Sequence, residues 1–215
     1  GVMSVLLHNF DAGQKSQVLL FEEKLKSEGM HFELATLYRA QGNFVGAVFE
    51  LKALISKSPN FSYKLTLADT YVESKSYEQA LVHIDQLLKY KNFDFNILYA
   101  VKLLKIECLI QLSEIHEALA EIELQILSYS EDELLAWKAV AYMKLNDFDK
   151  ALVFYKQSII KNDSNEKSWV GIGSIHCIKG DYELGLSCFE RALDINSENI
   201  AALALIKKFS TNGEV

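Results

Sequence analysis

Proline is almost missing from this chain of 215 residues, because Pro59 is its single proline. Ordinary proteins carry about 5% proline. Proline is poorly tolerated inside helices, since it lacks a backbone N–H and its ring clashes with the preceding turn. Glycine is also scarce, at ten residues. The low content of both residues favours a chain that is mostly helical.

Cysteine is limited to Cys108, Cys177 and Cys188, and none of them forms a CxxC motif. Three cysteines cannot all pair within one chain, so we expect reduced, buried thiols in a cytoplasmic protein. The five histidines form no HExxH motif and no Cys/His spacing typical of zinc ligands. We therefore expect neither a metal site nor a cofactor.

Long apolar runs and clusters of basic residues are absent as well. No run approaches the ~20 residues of a membrane span, and residues 2–7 are too short for a signal peptide. The chain has 22 basic and 29 acidic side chains, a net charge of −7, and its one adjacent basic pair is Lys207-Lys208. Membranes and nucleic acids are therefore not expected partners.

Constellations of catalytic residues are not evident either. Gly171, Gly173 and Gly180 lack the preceding strand that a phosphate-binding loop requires. Glu121 and Glu123 are two residues apart, so on a helix they point in different directions. The sequence therefore predicts that the chain is not an enzyme.

What the chain does contain is an internal repeat. Five segments share a turn residue, then a ring or Ile two positions later, then a small residue three positions after that. The small residues recur every 33 to 38 positions, at Ala47, Ala80, Ala118, Ala151 and Gly185.

Each repeat is predicted to be a helical hairpin. Apolar residues recur at three- and four-residue intervals on both sides of each turn, which is the helical period. Upstream of the turn a small residue precedes a tyrosine by three positions, as in Ala35 and Tyr38 or Ala68 and Tyr71. Small residues allow two helices to approach closely. One hairpin cannot bury both of its faces, so successive hairpins are expected to stack.

The repeated pattern resembles the tetratricopeptide repeat (TPR). The last unit carries the clearest signature, with Trp169, Ile172, Gly173, Gly180, Tyr182, Gly185, Phe189 and Ala192. The resemblance implies an all-α, right-handed α-solenoid superhelix of stacked antiparallel hairpins. Its units are repeats 28–60, 61–98, 99–131, 132–165 and 166–199, preceded by an N-terminal segment with a capping or partial-repeat helix (1–27) and followed by a C-terminal capping helix and tail (200–215).

Two units depart from the family pattern. The 99–131 unit has Lys105 and Ile106 where an apolar and a small residue are expected. The 61–98 unit is about four residues longer than the motif, and we place its surplus in a connection at 90–96. Phe93 and Phe95 in that connection are predicted either to fill a packing gap or to contact a partner.

The resemblance also implies a function. First helices of TPR hairpins line a concave groove, which predicts a protein–protein interaction scaffold that binds an apolar or amphipathic segment of a protein partner. The positions carried over from the family are Phe32, Arg39, Leu65, Asp69, Val72, Leu103, Glu107, Ile110, Val140, Met143 and Val170. The carboxylate clamp of TPR co-chaperones is not expected, because Asp69 and Glu107 stand among its positions and would repel a carboxylate.

Two alternatives stay open at the level of sequence. The apolar groove or residues 1–13 could pair two copies, making the array a self-association module. The chain begins at Gly1, so it can also be the regulatory TPR region of a larger signalling or transferase protein whose activity lies outside this chain.

Overall fold

The computed structural model describes residues 12–90, 94–126 and 131–210. Every regular element within these ranges is an α-helix, so the expected all-α fold class is confirmed. The helices, in chain order, are α1 (Ala12–Ser27), α2 (His31–Ala40), α3 (Phe44–Lys57), α4 (Phe61–Glu73), α5 (Tyr77–Leu87), α6 (Phe95–Gln111), α7 (Ile115–Ile126), α8 (Glu131–Lys144), α9 (Phe148–Lys161), α10 (Glu166–Ile178), α11 (Tyr182–Ile195) and α12 (Ile200–Ser210).

The helices pack in two compact units, Gly1–Cys108 and Leu109–Val215, called here the N-terminal and C-terminal units. In the N-terminal unit α2 pairs with α3 and α4 with α5, and α1 packs on α2. In the C-terminal unit α8 pairs with α9 and α10 with α11, and α12 packs on α11. Each unit is therefore a stack of helical hairpins.

A left-handed residue closes every hairpin turn. Gly42, Lys75, Ser113, Asn146 and Gly180 all have positive φ, between 57° and 90°. In the first turn the backbone N–H that follows, of residue 43, donates to the carbonyl of residue 38 at 2.8 Å. This is the bond pattern that ends a helix at a left-handed residue. The five turn residues recognised in the sequence thus share one backbone conformation.

Small residues lie where the two helices of a hairpin cross. Ala35 and Ala47 are completely buried in the first hairpin. In the α10–α11 hairpin, a Cβ added to Gly173 would lie 2.6 Å from Cε1 of Phe189 and 2.8 Å from the carbonyl oxygen of Gly185. The helices approach too closely there for a larger side chain.

Helix α6 begins earlier than the sequence suggested. The carboxylate of Asp94 accepts a hydrogen bond from the backbone N–H of Asn96 at 2.9 Å and so caps the new helix. Phe95 and Asn96 are therefore helical and do not belong to a loop, while Phe93 lies outside the described residues. The predicted limit between residues 98 and 99 falls inside α6, and the division into five repeats stays a prediction.

Helix α1 is joined to the first hairpin by its C-terminal half. Leu25 is buried against Leu34, Tyr38 and Ala47. The hydroxyl of Tyr38 also donates a hydrogen bond to Oε1 of Glu22 at 3.0 Å. These contacts place α1 against α2 at the start of the stack.

Candidate functional site

The residues predicted to line a groove lie on the first helices of the hairpins. We define the N-terminal face by residues of α2, α4 and the first part of α6, namely Phe32, Arg39, Leu65, Asp69, Glu73, Leu103 and Glu107. We define the C-terminal face by residues of α8 and α10, namely Val140, Met143, Lys144, Lys167, Val170 and Ile178.

Aromatic and aliphatic side chains form the apolar part of the N-terminal face. The rings of Phe32 and Tyr63 lie 5.3 Å apart between centroids, tilted by 39°. Phe32 and Leu65 are partly buried because they pack against the core of the unit, which includes Leu67 and Tyr71. The structure thus brings Phe32 next to an aromatic residue of the following hairpin.

An ionic cluster joins α2 to α4 on the same face. Nη2 and Nε of Arg39 donate to the two carboxylate oxygens of Glu73 at 2.8 and 3.0 Å, and Nη2 also contacts Asp69. Burial alone would lower the pKa of Arg39, but the hydrogen bonds and charges of the two carboxylates outweigh it and raise the pKa. Arg39 and Asp69, predicted as partner contacts, are therefore bound to each other in the chain itself.

Two predicted contact residues are part of the core, which corrects the list drawn from sequence. Ile110 is completely buried and Val72 is 9% exposed. Ile110 has no exposed surface with which to contact a partner, and Val72 has little because it packs in the core of the N-terminal unit, so both are left out of the faces. In α6 the buried residues include Val101, Ile106 and Leu109 as well as Ile110. Because α6 is buried on more than one side, a repeat pattern in the sequence cannot identify which of its residues face outward.

The C-terminal face has aliphatic side chains at its centre. Val140 and Met143 are partly buried against the core cluster of α8–α10, which contains Ala136 and Ala139. Val170 packs in the same way against the cluster around Phe189. Ile178, at the end of α10, is 54% exposed. Helices α8 and α10 contact each other directly, so these side chains lie on two adjacent first helices.

Two lysines accompany this apolar surface. Nζ of Lys144 lies 3.4 Å from Oε1 of Gln111. Nζ of Lys167 lies 3.7 Å from the centroid of the Trp137 ring, a close cation–π contact. Trp137 is buried, and its Nε1 has no hydrogen-bond partner in the described part of the chain. Glu133 lies in the first turn of α8 together with Glu131 and Asp132.

Sequence reasoning missed two aromatic residues that contact the faces. Tyr63 and Trp137 are not among the groove positions of the family, yet each contacts a residue that is. Tryptophan occurs twice in the chain. Its rarity was the one available signal, and it does not reveal which neighbour the ring contacts.

Nucleophilic and metal-binding groups do not assemble into a site in the described ranges. Burial raises the pKa of the Cys108 thiol to about 12, and burial also raises the pKa values of Cys177 and Cys188. These thiols therefore stay protonated near neutral pH. Among the residues whose positions are described, no three His, Cys, Asp or Glu side chains are grouped as metal ligands.

None of the described helices combines the length and the apolar character needed to cross a membrane.

Comparison with known families finds two matching segments, both in the C-terminal unit. Residues 132–159 and 166–199 match the family model described as tetratricopeptide repeat. Both matched segments coincide with hairpins, α8–α9 and α10–α11. No curated protein matches the chain significantly.

Solved structures share the fold at low sequence identity. TTC0263, a thermophilic TPR protein of Thermus thermophilus, is 15% identical, with 86% of this chain and 99% of that chain covered and a TM-score of 0.65. MamA of Desulfovibrio magneticus RS-1 is 13% identical, with coverages of 80% and 96% and a TM-score of 0.56. Yeast Tom70 is 14% identical, with 100% of this chain and 47% of that chain covered and a TM-score of 0.59. The chain is therefore similar in fold to TPR proteins.

Proposed function

We propose that this chain, which contains tetratricopeptide repeats, is a non-catalytic scaffold that binds a segment of another protein on the first helices of its hairpins. The resemblance to the TPR family supports recognition of proteins as the function. The observation that carries the proposal is the apolar surface of Val140, Met143, Val170 and Ile178 on two adjacent first helices.

The chemistry of this surface suits an apolar or amphipathic segment. Side chains that are partly buried in the framework have lost some of their conformational freedom before a partner arrives. A partner that covers them pays a smaller entropic cost than one that must order mobile side chains. Recognition by a preformed helical surface is a common mode of peptide binding.

Apolar side chains are also exposed on second helices, and they supply matched controls. Val82 of α5 is 57% exposed and Val153 of α9 is 52% exposed. Single exposed apolar residues are normal on protein surfaces. If the first helices bind the partner, glutamine at Val82 or Val153 leaves binding unchanged.

The test is a capture experiment with four single variants of the whole chain. Leu103→Gln and Val140→Gln alter the N-terminal and C-terminal faces, and Val82→Gln and Val153→Gln are their controls. We expect a partner captured by the parent to be lost with at least one face variant and kept with both controls. Loss with the controls alone places the site on the second helices and refutes the proposal. Circular dichroism melts of all four variants separate lost binding from lost folding.

Self-association is a second candidate, favoured by the surface of α1. Leu19, Leu20 and Phe21 are 51% to 66% exposed. Exposed apolar side chains favour contact with a second apolar surface. Sedimentation velocity over a range of concentrations tests this candidate, and Leu20→Glu is its probe. A monomer at every concentration excludes it, whereas a dimer that Leu20→Glu dissociates supports it.

The other alternative, that this chain is the regulatory TPR region of a larger signalling or transferase protein, also stays a proposal. The full-length reading frame tests it, because a catalytic domain encoded beside this chain is what the alternative requires.

A further inference from the structure

Three helices of the N-terminal unit bring basic side chains around one tyrosine. The imidazole of His83 on α5 stacks on the ring of Tyr71 on α4, with 5.4 Å between centroids and 8° between planes. Nζ of Lys52 on α3 lies over the same tyrosine ring, 5.7 Å from its centroid. Lys64, two turns before Tyr71 on α4, donates a hydrogen bond from Nζ to the hydroxyl of Tyr90 at 2.7 Å. We call Lys52, Lys64 and His83 the basic cluster.

The members of the basic cluster lie at a similar height in the stack. Helix α3 ends at Lys57 and α4 begins at Phe61. At 1.5 Å per residue, Lys52 is about 7.5 Å and Lys64 about 4.5 Å from the connection between these helices. Burial lowers the pKa of His83, and the charges of the two lysines lower it further. The three groups therefore share one electrostatic environment.

The positive charge of the basic cluster has no carboxylate partner in the described part of the chain. Within the described ranges Lys52, Lys64 and His83 form no ion pair, and the imidazole of His83 forms no hydrogen bond. Glu78 precedes His83 by five positions, about 140° around α5, so it points away. The other carboxylates of α3, α4 and α5 contact basic residues elsewhere: Glu50 contacts His31, Asp69 and Glu73 contact Arg39, and Asp85 contacts Lys105.

A cleft adjoins the basic cluster through Tyr71. Its walls include Phe44, Val45 and Val48 of α3, together with Tyr71 and Ser74. Val45 is 85% exposed, so an apolar group that enters the cleft can cover it. A ligand in the cleft would thus contact the same tyrosine that Lys52 and His83 contact.

We propose that the basic cluster binds a phosphate monoester whose apolar or aromatic ester group lies in the adjoining cleft. A phosphate monoester carries a charge of about −1.5 to −2 at pH 7 and three acceptor oxygens, which match three basic groups. A carboxylate has two oxygens and one charge, and would leave one group unpaired. The ammonium of Lys64 has three N–H donors, so it can bind phosphate and keep its bond to Tyr90.

The experiment is a titration of the whole chain with phenyl phosphate, followed through the NMR signals of the histidine rings. The signals of His83 are those missing from the His83→Gln variant. We expect them to shift when phenyl phosphate is added, and the pKa of His83 to rise, because a neighbouring anion favours the protonated imidazole. Phenyl phosphate should bind more tightly than inorganic phosphate, since its ring fills the cleft, and more tightly than benzoate.

Two double variants test the role of the lysines. Lys52→Gln, Lys64→Gln should weaken binding of phenyl phosphate about tenfold, since two partly exposed ion pairs are lost. Lys24 and Lys57 are exposed residues of the same unit, and Lys24→Gln, Lys57→Gln removes the same charge outside the cluster. Equal weakening by both variants would reduce the effect to net charge and overturn the inference. Circular dichroism melts of both variants separate lost binding from lost folding.

Two further outcomes would refute the proposal. If neither phenyl phosphate nor inorganic phosphate shifts the signals of His83, the cluster does not bind phosphate. If benzoate binds as tightly as phenyl phosphate, the site does not select a phosphate. Neither result touches the function proposed above, because no residue of the basic cluster belongs to the N-terminal or the C-terminal face.

The source of the phosphate monoester is identified by comparing a short peptide that contains phosphotyrosine with phosphotyrosine itself. Tighter binding of the peptide supports a phosphorylated protein as the ligand, since residues beside the phosphotyrosine then add contacts. Equal binding of the two supports a small phosphate monoester. If neither of them competes with phenyl phosphate, the cleft does not accept an aromatic ester group, and the inference is overturned.

Discussion

The N-terminal and C-terminal units form the same type of hairpin from sequences that differ in how closely they follow the TPR pattern. Both segments matched by the family model lie in the C-terminal unit. The N-terminal unit nevertheless repeats the left-handed turn, at Gly42 and Lys75, and the buried alanine at the crossing, at Ala47 and Ala80. The fold therefore depends on a few small residues and turn positions, and it tolerates wide variation elsewhere.

The faces of the two units differ in the contacts of their basic side chains. Arg39 of the N-terminal unit is bound to two carboxylates, whereas Lys167 of the C-terminal unit lies over an aromatic ring. Hairpins of the same type thus hold a basic side chain in two different ways. Shape comes from the framework, and specificity comes from side chains that the framework leaves free to vary.

The largest expected effect tests whether the crossing positions are equivalent in the two units. Ala151 and Ala47 are both completely buried. A tryptophan at either position must displace a helix, so Ala151→Trp and Ala47→Trp should each cost about 3 kcal/mol or more. Urea unfolding monitored by circular dichroism measures the loss. If either variant unfolds like the parent, the crossing has been assigned to the wrong residue in that unit.

The next effect concerns Ile110, where the sequence predicted a surface contact. Ile110→Glu places a carboxylate in a fully buried position, which should destabilise the C-terminal unit by about 3 kcal/mol or more. The neighbouring Gln111 is exposed, so Gln111→Glu is a matched control and should leave the melting temperature nearly unchanged. Equal melting temperatures for the two variants would show that Ile110 is a surface residue.

Two asparagine caps allow a smaller comparison between the units. Asn43 accepts from the backbone N–H of Gly46 at 3.0 Å, and Asn165 accepts from that of Ser168 at 3.0 Å. Asn165 also donates to Oδ2 of Asp132 at 3.2 Å, which connects α10 to the start of α8. Asn43→Ala should cost about 1 kcal/mol and Asn165→Ala about 2 kcal/mol. Chemical denaturation measures the loss of unfolding free energy in both variants. Equal losses would show that the hydrogen bond from Asn165 to Asp132 adds no stability.

The smallest expected effect is at the ionic cluster of the N-terminal face. Asp69 and Glu73 are 40% and 44% exposed, so water and salt screen their attraction to Arg39. Arg39→Ala should therefore cost only about 0.5–1 kcal/mol. The loss should shrink as salt is added, and denaturation at two salt concentrations measures this. A large, salt-independent loss would show that Arg39 stabilises the unit by packing.

Much of the fold could be predicted from the sequence because it depends on local features. The turn residues Gly42, Lys75, Ser113, Asn146 and Gly180 were recognised by their spacing alone, and each has a left-handed conformation in the structure. Helix periodicity and small crossing residues involve neighbours within about one repeat. In a stacked array each hairpin contacts chiefly the next, so local patterns determine most of the architecture.

The candidate site could be predicted only in part. Its location on the first helices follows from the resemblance to the family, but the burial and the contacts of individual residues do not. The early start of α6 depends on a cap by Asp94. The burial of Ile110 follows from packing around α6 that a one-dimensional pattern does not contain.

The sequence by itself determined the helical hairpins, their turns and the positions at which helices cross, since these follow from residue size and backbone preference within a short stretch. Tertiary structure alone decided that Arg39 binds Asp69 and Glu73, that Lys167 covers Trp137, and that Val72 and Ile110 are core. These contacts join residues about 30 positions apart, or depend on packing from several sides. Their energies follow from distance and burial in space, which residue order does not encode directly.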